Sequence, residues 1–214
     1  MLTSLTIDRF TAALAAREPA PGGGSAAALS GLLGASLAAL AVTHTRGRAE
    51  FAAHAASLAA GEDKLGRLRG DLLALIDRDA AAFSALIAAY DLPRPAESER
   101  QARAAALQAA VGEAAAVPLQ TARACCAVLA ITSDLAGKVA PHVAGDLATG
   151  ALAAHTGLTG ALLNVAANLP ALADETLVRA YSDQIRRLRT AGDQLAAAVQ
   201  DATYGQPAFA VMRE

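Results

Sequence analysis

Leu72, Ile76, Asp79, Phe83, Leu86 and Tyr90 recur at alternating four- and three-residue steps, so an ionisable carboxylate stands on the otherwise apolar stripe of a helix. A carboxylate removed from water is costly unless paired, and burial raises its pKa towards the range useful for proton transfer. Asp79 is therefore the leading candidate for general acid–base work. The structural alternative is an Asp satisfied by a buried Arg or a backbone amide. Asp77, two residues away, points roughly to the opposite side of the helix and serves as an internal comparison.

Gly22, Gly23, Gly24 and Ser25 form a turn that opens directly onto an apolar helix, with Ser25 its natural N-cap. Backbone amides at such a helix start offer a site for a carboxylate or another electron-rich ligand group. No strand pattern precedes the turn and no Lys follows it, which excludes a P-loop or a dinucleotide fingerprint. Asp146 precedes an uncharged helix marked by Gly150, Gly157, Gly160, Asn164 and Asn168. It is a second carboxylate candidate, with a helix N-cap as its plainer role. Asp146 and Asn164 share a helical face, yet eighteen residues of helix separate them by about 27 Å, so they cannot meet across one ligand within one straight helix. His44, His54, His142 and His155 show no metal-binding spacing, and the adjacent Cys125 and Cys126 lack the spaced partners of a zinc site. No metal is expected.

The elements that must position these groups are helical. Hydrophobic residues make up 54% of the 214-residue chain but aromatics only 3%, so the apolar content is mostly Ala and Leu, the strongest helix formers. A single all-α domain over residues 1–214 is expected, a compact multi-helix bundle with buried Ala/Gly-rich helices. A short opening helix ends near Arg17, and a small-residue helix starts near Ala26. A long helical pattern runs from Phe51 to Tyr90, and another begins at Gln101, kinked or interrupted at Pro118. An uncharged helix spans about Leu147 to Leu169, and Leu177, Tyr181, Ile185, Leu188, Leu195 and Val199 define the last.

A formal net charge of -2 with dispersed basic residues supplies no positive field for nucleic acid. The uncharged runs Ser25–Val42 and Leu147–Ala173 are long enough to span a bilayer, but Ala, Gly, Ser and Thr dominate them and no aromatic belts flank them. They read as buried bundle helices, and no membrane association is expected. The N-terminus lacks a secretory signal pattern, which makes a cytoplasmic protein the expectation.

Four segments carry a family resemblance: PAPGGGSAAALSGLLGASLAAL from Pro19, LIDRDAAAFSALIAAYDLPR from Leu75, AAAVPL from Ala114, and GDLATGALAAHTGLTGALLNVAANL from Gly145. Together the chain resembles the cyclodeaminase domain of formiminotransferase-cyclodeaminase and its free-standing bacterial relatives, which include methenyltetrahydrofolate cyclohydrolases. The resemblance implies a helical, usually dimeric protein that binds reduced folate with no separate metal or redox cofactor. It strengthens Asp79, the Gly22–Ser25 turn and Asp146 as site residues. Lys138 becomes a candidate for the folate glutamyl carboxylate, against a solvated helix end. One departure bears on substrate preference. Where family members carry an asparagine-rich GN-x-N approach to a Ser-Asp pair, this chain has Ala140, His142 and Gly145.

The family label places formiminotetrahydrofolate cyclodeaminase, an ammonia-lyase, first. The alternative is cyclohydrolysis of the methenyl bridge. A catalytically silent helical interaction module is the reading from a different class.

Overall fold

The computed structural model describes residues 1–213, without the side chain of Arg213. Its fold is all-α. A 3-10 turn at Leu2–Ser4 leads to α1 (Ile7–Leu14), α2 (Gly23–Thr45), α3 (Ala55–Tyr90), α4 (Glu97–Leu135), α5 (Ala144–Asn168) and α6 (Glu175–Tyr204). Short 3-10 segments join or follow the main helices. Helices α2 to α5 form a four-helix core in which α2 packs against α5, α3 and α4, and α6 lies along α4 and α5.

Small side chains set the spacing of that core. Gly34 on α2 faces Gly150 and Ala154 on α5, and Gly157 lies against the Ala27 carbonyl and the Cys125 thiol of α4. A Cβ on Gly34 would stand 2.6 Å from the Gly150 carbonyl oxygen, so the two backbones approach as closely as they do because neither helix carries a side chain there. The resulting interior is built on Ala28, Ala35, Ala38, Val42, Leu65, Leu72, Val128, Leu129, Leu158 and Val165. Cys125 is a free, fully buried thiol pushed by burial up to about 12, so it stays protonated and packs as a small apolar group. By length and composition α2 and α4 could each cross a membrane; here both are packed into the bundle.

Several boundaries differ from the sequence reading, each for a local reason. Ser25 is not the N-cap of α2. Gly22 is, and Ser25 sits in the first turn with its side chain fully buried. Helix α4 begins at Glu97 rather than Gln101, because the Glu99 carboxylate accepts the Ala96 backbone N–H at 2.8 Å and the acidic first turn suits the helix dipole. It then runs unbroken through Pro118 to Leu135. Helix α5 starts at Ala144, which places Asp146 in the first turn behind the N-cap Val143. Phe83 and Tyr90 leave the core stripe of α3 and are 40% and 47% exposed. Nor is Asp77 free in solvent: its carboxylate accepts hydrogen bonds from the Leu2 backbone N–H and, at 2.7 Å, from Thr3 Oγ1, tying the opening turn to α3.

Candidate active site

The antiparallel packing of α2 on α5 brings the start of α2 to the end of α5, and α3 delivers Asp79 to the same end of the bundle. A cleft of about 200 Å³ opens there, lined by Pro19, Gly23, Asp79, Phe83, Asn164 and Asn168 among others. Two wider grooves, of about 410 and 500 Å³, follow the α3–α4 seam. Their ionisable groups, such as Lys64, Asp71, Arg78 and Arg123, are all exposed, so nothing in them is tuned for chemistry. The smaller cleft holds the half-buried carboxylate.

Asp79 sits at the N-terminus of α2. A Cβ added to Gly24 would lie 1.9 Å from Asp79 Oδ1, so the absence of a side chain at Gly24 is what admits the carboxylate. Burial pushes the Asp79 carboxyl above its ordinary value, while hydrogen bonds from the Ser25 side chain and backbone pull the other way, and the balance is upward. Among the described residues no cation pairs with Asp79. The neighbouring Arg78 points outward to Gln120 and Glu113.

Ser25 Oγ lies 2.8 Å from Asp79 Oδ2 and 3.1 Å from the Ile76 carbonyl oxygen. With Asp79 ionised, the single hydroxyl proton is donated to the carboxylate. With Asp79 protonated, the carboxylic acid can donate to Oγ while the hydroxyl donates to Ile76. Both protonation states of Asp79 are thus satisfied without moving heavy atoms, as a group that cycles a proton requires. Removing the hydroxyl in Ser25→Ala takes away a bond that holds the carboxyl down, so the acidic limb of kcat/KM against pH should move to higher pH. A pH–rate profile that stays in place would show that the hydroxyl does not tune Asp79.

The structure gathers Gly22, Gly23, Gly24, Ser25 and Asp79 at one end of the bundle and leaves two candidates elsewhere. The electron-rich group met by the start of α2 is Asp79 itself, with Gly22 and Gly23 forming the cleft wall. Asp146 is half-buried in the first turn of α5, about 27 Å along that helix from Asn164. Lys138 lies at the same far end, its Nζ 2.8 Å from Asp134. There Ala140 donates its buried N–H to Thr45 Oγ1, the His142 ring meets His44 edge-on, and Gly145 faces the Phe209 ring. Asn164 and Asn168 were not among the site residues expected from the sequence. They line the Asp79 cleft, and their polarity within an uncharged helix was the available signal.

The family model for formiminotransferase-cyclodeaminase matches residues 6–187, which include every element that shapes this cleft. The chain belongs to the formiminotransferase-cyclodeaminase family. Within it, the chain is 37% identical over 179 residues to a methenyltetrahydrofolate cyclohydrolase of Methylorubrum extorquens, covering 84% of each chain. It is 34% identical over 174 residues to the formimidoyltransferase-cyclodeaminase of Mus musculus, covering 81% of this chain and 32% of the mouse protein. The chain thus spans about a third of that longer relative. A crystal structure of formiminotetrahydrofolate cyclodeaminase from Thermotoga maritima has the same fold, with a TM-score of 0.86 over 96% of this chain and 98% of that one at 23% identity.

Proposed function

We propose that this protein is a folate one-carbon enzyme that opens 5,10-methenyltetrahydrofolate with water, with Asp79 as its acid–base group. The observation that carries this reading is a half-buried carboxylate, raised by burial and backed by a two-way hydroxyl, in a cleft walled by polar amides. The methenyl carbon is an amidinium cation. Asp79 takes a proton from water as the water oxygen bonds to that carbon, giving a neutral tetrahedral adduct. Asp79 then returns the proton to one folate nitrogen as its bond to carbon breaks, and the adduct hydroxyl loses its proton to solvent, leaving a formyl group on the other nitrogen. The negative carboxylate also favours the cationic substrate electrostatically. Support for hydrolysis over other family chemistry comes from the relative named as a cyclohydrolase, which this chain matches over most of both lengths.

The second reading is cyclodeamination of 5-formiminotetrahydrofolate, favoured by the likeness to the vertebrate enzymes. There N10 attacks the carbon of the protonated formimino group, whose nitrogen already carries two hydrogens, Asp79 takes the N10 proton and returns it to that nitrogen as it leaves as ammonia, and the same cationic methenyl bridge results. Both reactions are proposed to need no metal or other cofactor, and a cytoplasmic setting suits the two free cysteines.

A homodimer completes the proposal. Helices α2 and α5 expose Leu33, Leu40, Leu152 and Leu163 along surfaces that carry no formal charge from residue 23 to 45 or from 147 to 168. Pairing these faces about a two-fold axis perpendicular to the helices would set Asp146 and Lys138 of the partner subunit beside the Asp79 end. Mixed dimers of Asp79→Asn and Asp146→Asn chains test this arrangement. One wild-type site should reassemble and restore activity that neither homodimer has; if the mixture stays inactive, Asp146 does not act across the interface.

A further inference from the structure

Pro118 is the feature of the family-like AAAVPL segment that the chemistry above leaves unused. A proline inside a helix has no N–H for the carbonyl four residues earlier, so the Ala114 oxygen in the middle of α4 loses its helical partner. Ala114 lines the Asp79 cleft, and its oxygen accepts a hydrogen bond at 3.0 Å from Asn168 Nδ2 on α5. The same amide nitrogen donates to the Asn164 backbone oxygen at 2.9 Å. With both protons committed to carbonyl oxygens, the amide has one possible orientation, because turning it would oppose oxygen to oxygen.

Asn168 Oδ1 is consequently left as an acceptor without a donor among the described residues. None of their buried side-chain polar atoms lacks a partner, so this oxygen is not sealed, and its residue lines the cleft. Asn164 Nδ2 donates one proton to the Gly160 carbonyl at 2.8 Å, and its amide lies against Gly23 at the cleft wall. Among the described residues the cleft thus presents acceptor oxygens of Asp79 and Asn168 beside the Asn164 amide, and no Lys or Arg lines it. Its complement is a flat heterocycle with several N–H groups on one edge.

We infer that Asn168 is a specificity residue that accepts a hydrogen bond from the amino-bearing edge of the pterin ring, and that Pro118 is a positioning residue that fixes the Asn168 amide by freeing the Ala114 carbonyl. This inference rests on the folate reading. Pro118→Ala supplies the missing backbone N–H, competes for Ala114 and releases Asn168 while leaving the asparagine in place.

The test is calorimetric binding of tetrahydrofolate and of an analogue whose pterin amino group is replaced by methyl, to wild type, Asn168→Ala, Pro118→Ala and the double variant. Asn168→Ala should weaken tetrahydrofolate binding about 10-fold, the order expected for one lost hydrogen bond, and weaken the methyl analogue much less. Pro118→Ala should keep or raise Tm, show the same selective loss, and add little in the double variant. Equal losses for both ligands, or normal binding by Pro118→Ala, would overturn the inference while leaving the folate reading intact. Wild type that binds neither ligand would overturn both. Should Asn168→Ala fail to fold, Pro118→Ala still decides the matter, since a purely structural Asn168 predicts no ligand discrimination from it.

Discussion

Asp79→Asn is expected to remove turnover by about 100- to 10,000-fold, the usual worth of a positioned acid–base group, while the protein remains folded. The amide nearly preserves shape and can still accept from Ser25, but it cannot take and return a proton. Because the folded carboxyl is held above its unfolded value, its stabilising contribution is complete below the unfolded value and is lost as pH rises through the folded one. Above the folded pKa the ionised, half-buried carboxylate thus works against the fold, and there the neutral amide should melt at the same temperature or higher. That advantage should shrink as pH falls through the folded pKa. A structural Asp79 would do the reverse, with Tm falling and turnover of the folded fraction unchanged. Asp77→Asn should loosen the Leu2–Ser4 turn that Asp77 holds, lowering Tm slightly with turnover near normal.

Gly24→Ala should be nearly as damaging to turnover. The added methyl would occupy the place of the Asp79 carboxylate, 1.9 Å from Oδ1 and 2.5 Å from Cγ. The obstacle is a side chain beside an open cleft, so the carboxylate can swing aside and the helix can still form. A displacement on the order of 1 Å at a reacting group costs roughly 100-fold in rate, which sets the expected loss. Gly66→Ala is the comparison: it lies exposed on α3 away from the cleft and a Cβ there meets nothing within 4 Å, so its activity should stay near normal. Equal activity in the Gly24 and Gly66 variants, measured as kcat with Tm recorded alongside, would mean that Asp79 does not need its place at the helix start.

The all-α bundle was legible in the sequence because Ala, Leu and Gly recur at helical spacing with few competing signals. Asp79 was legible for the same reason, as a charge on an apolar stripe. The company it keeps was not, because helical periodicity says which side chains share a face but not which faces meet. Asn164 and Asn168 are far from Gly23 and Asp79 in the chain, and only the antiparallel seating of α5 on α2 joins them. Ser25 illustrates a different limit. A serine after three glycines fits an N-cap, yet Gly22 takes that role, and the hydroxyl is drawn inward by Asp79 and the Ile76 carbonyl. Pro118 was read as a break because proline removes a helical hydrogen bond, and a side chain from another helix takes up the freed carbonyl.

The proposed activity is hydrolytic opening of the 5,10-methenyltetrahydrofolate bridge through Asp79. Its most direct test is the absorbance of 5,10-methenyltetrahydrofolate in the presence of a chelator, followed after adding wild type, Asp79→Asn or Asp77→Asn. Accelerated loss of the methenyl band is expected with wild type and Asp77→Asn, and a rate close to the uncatalysed one with Asp79→Asn. Equal acceleration by Asp79→Asn, or no acceleration by wild type, would contradict it.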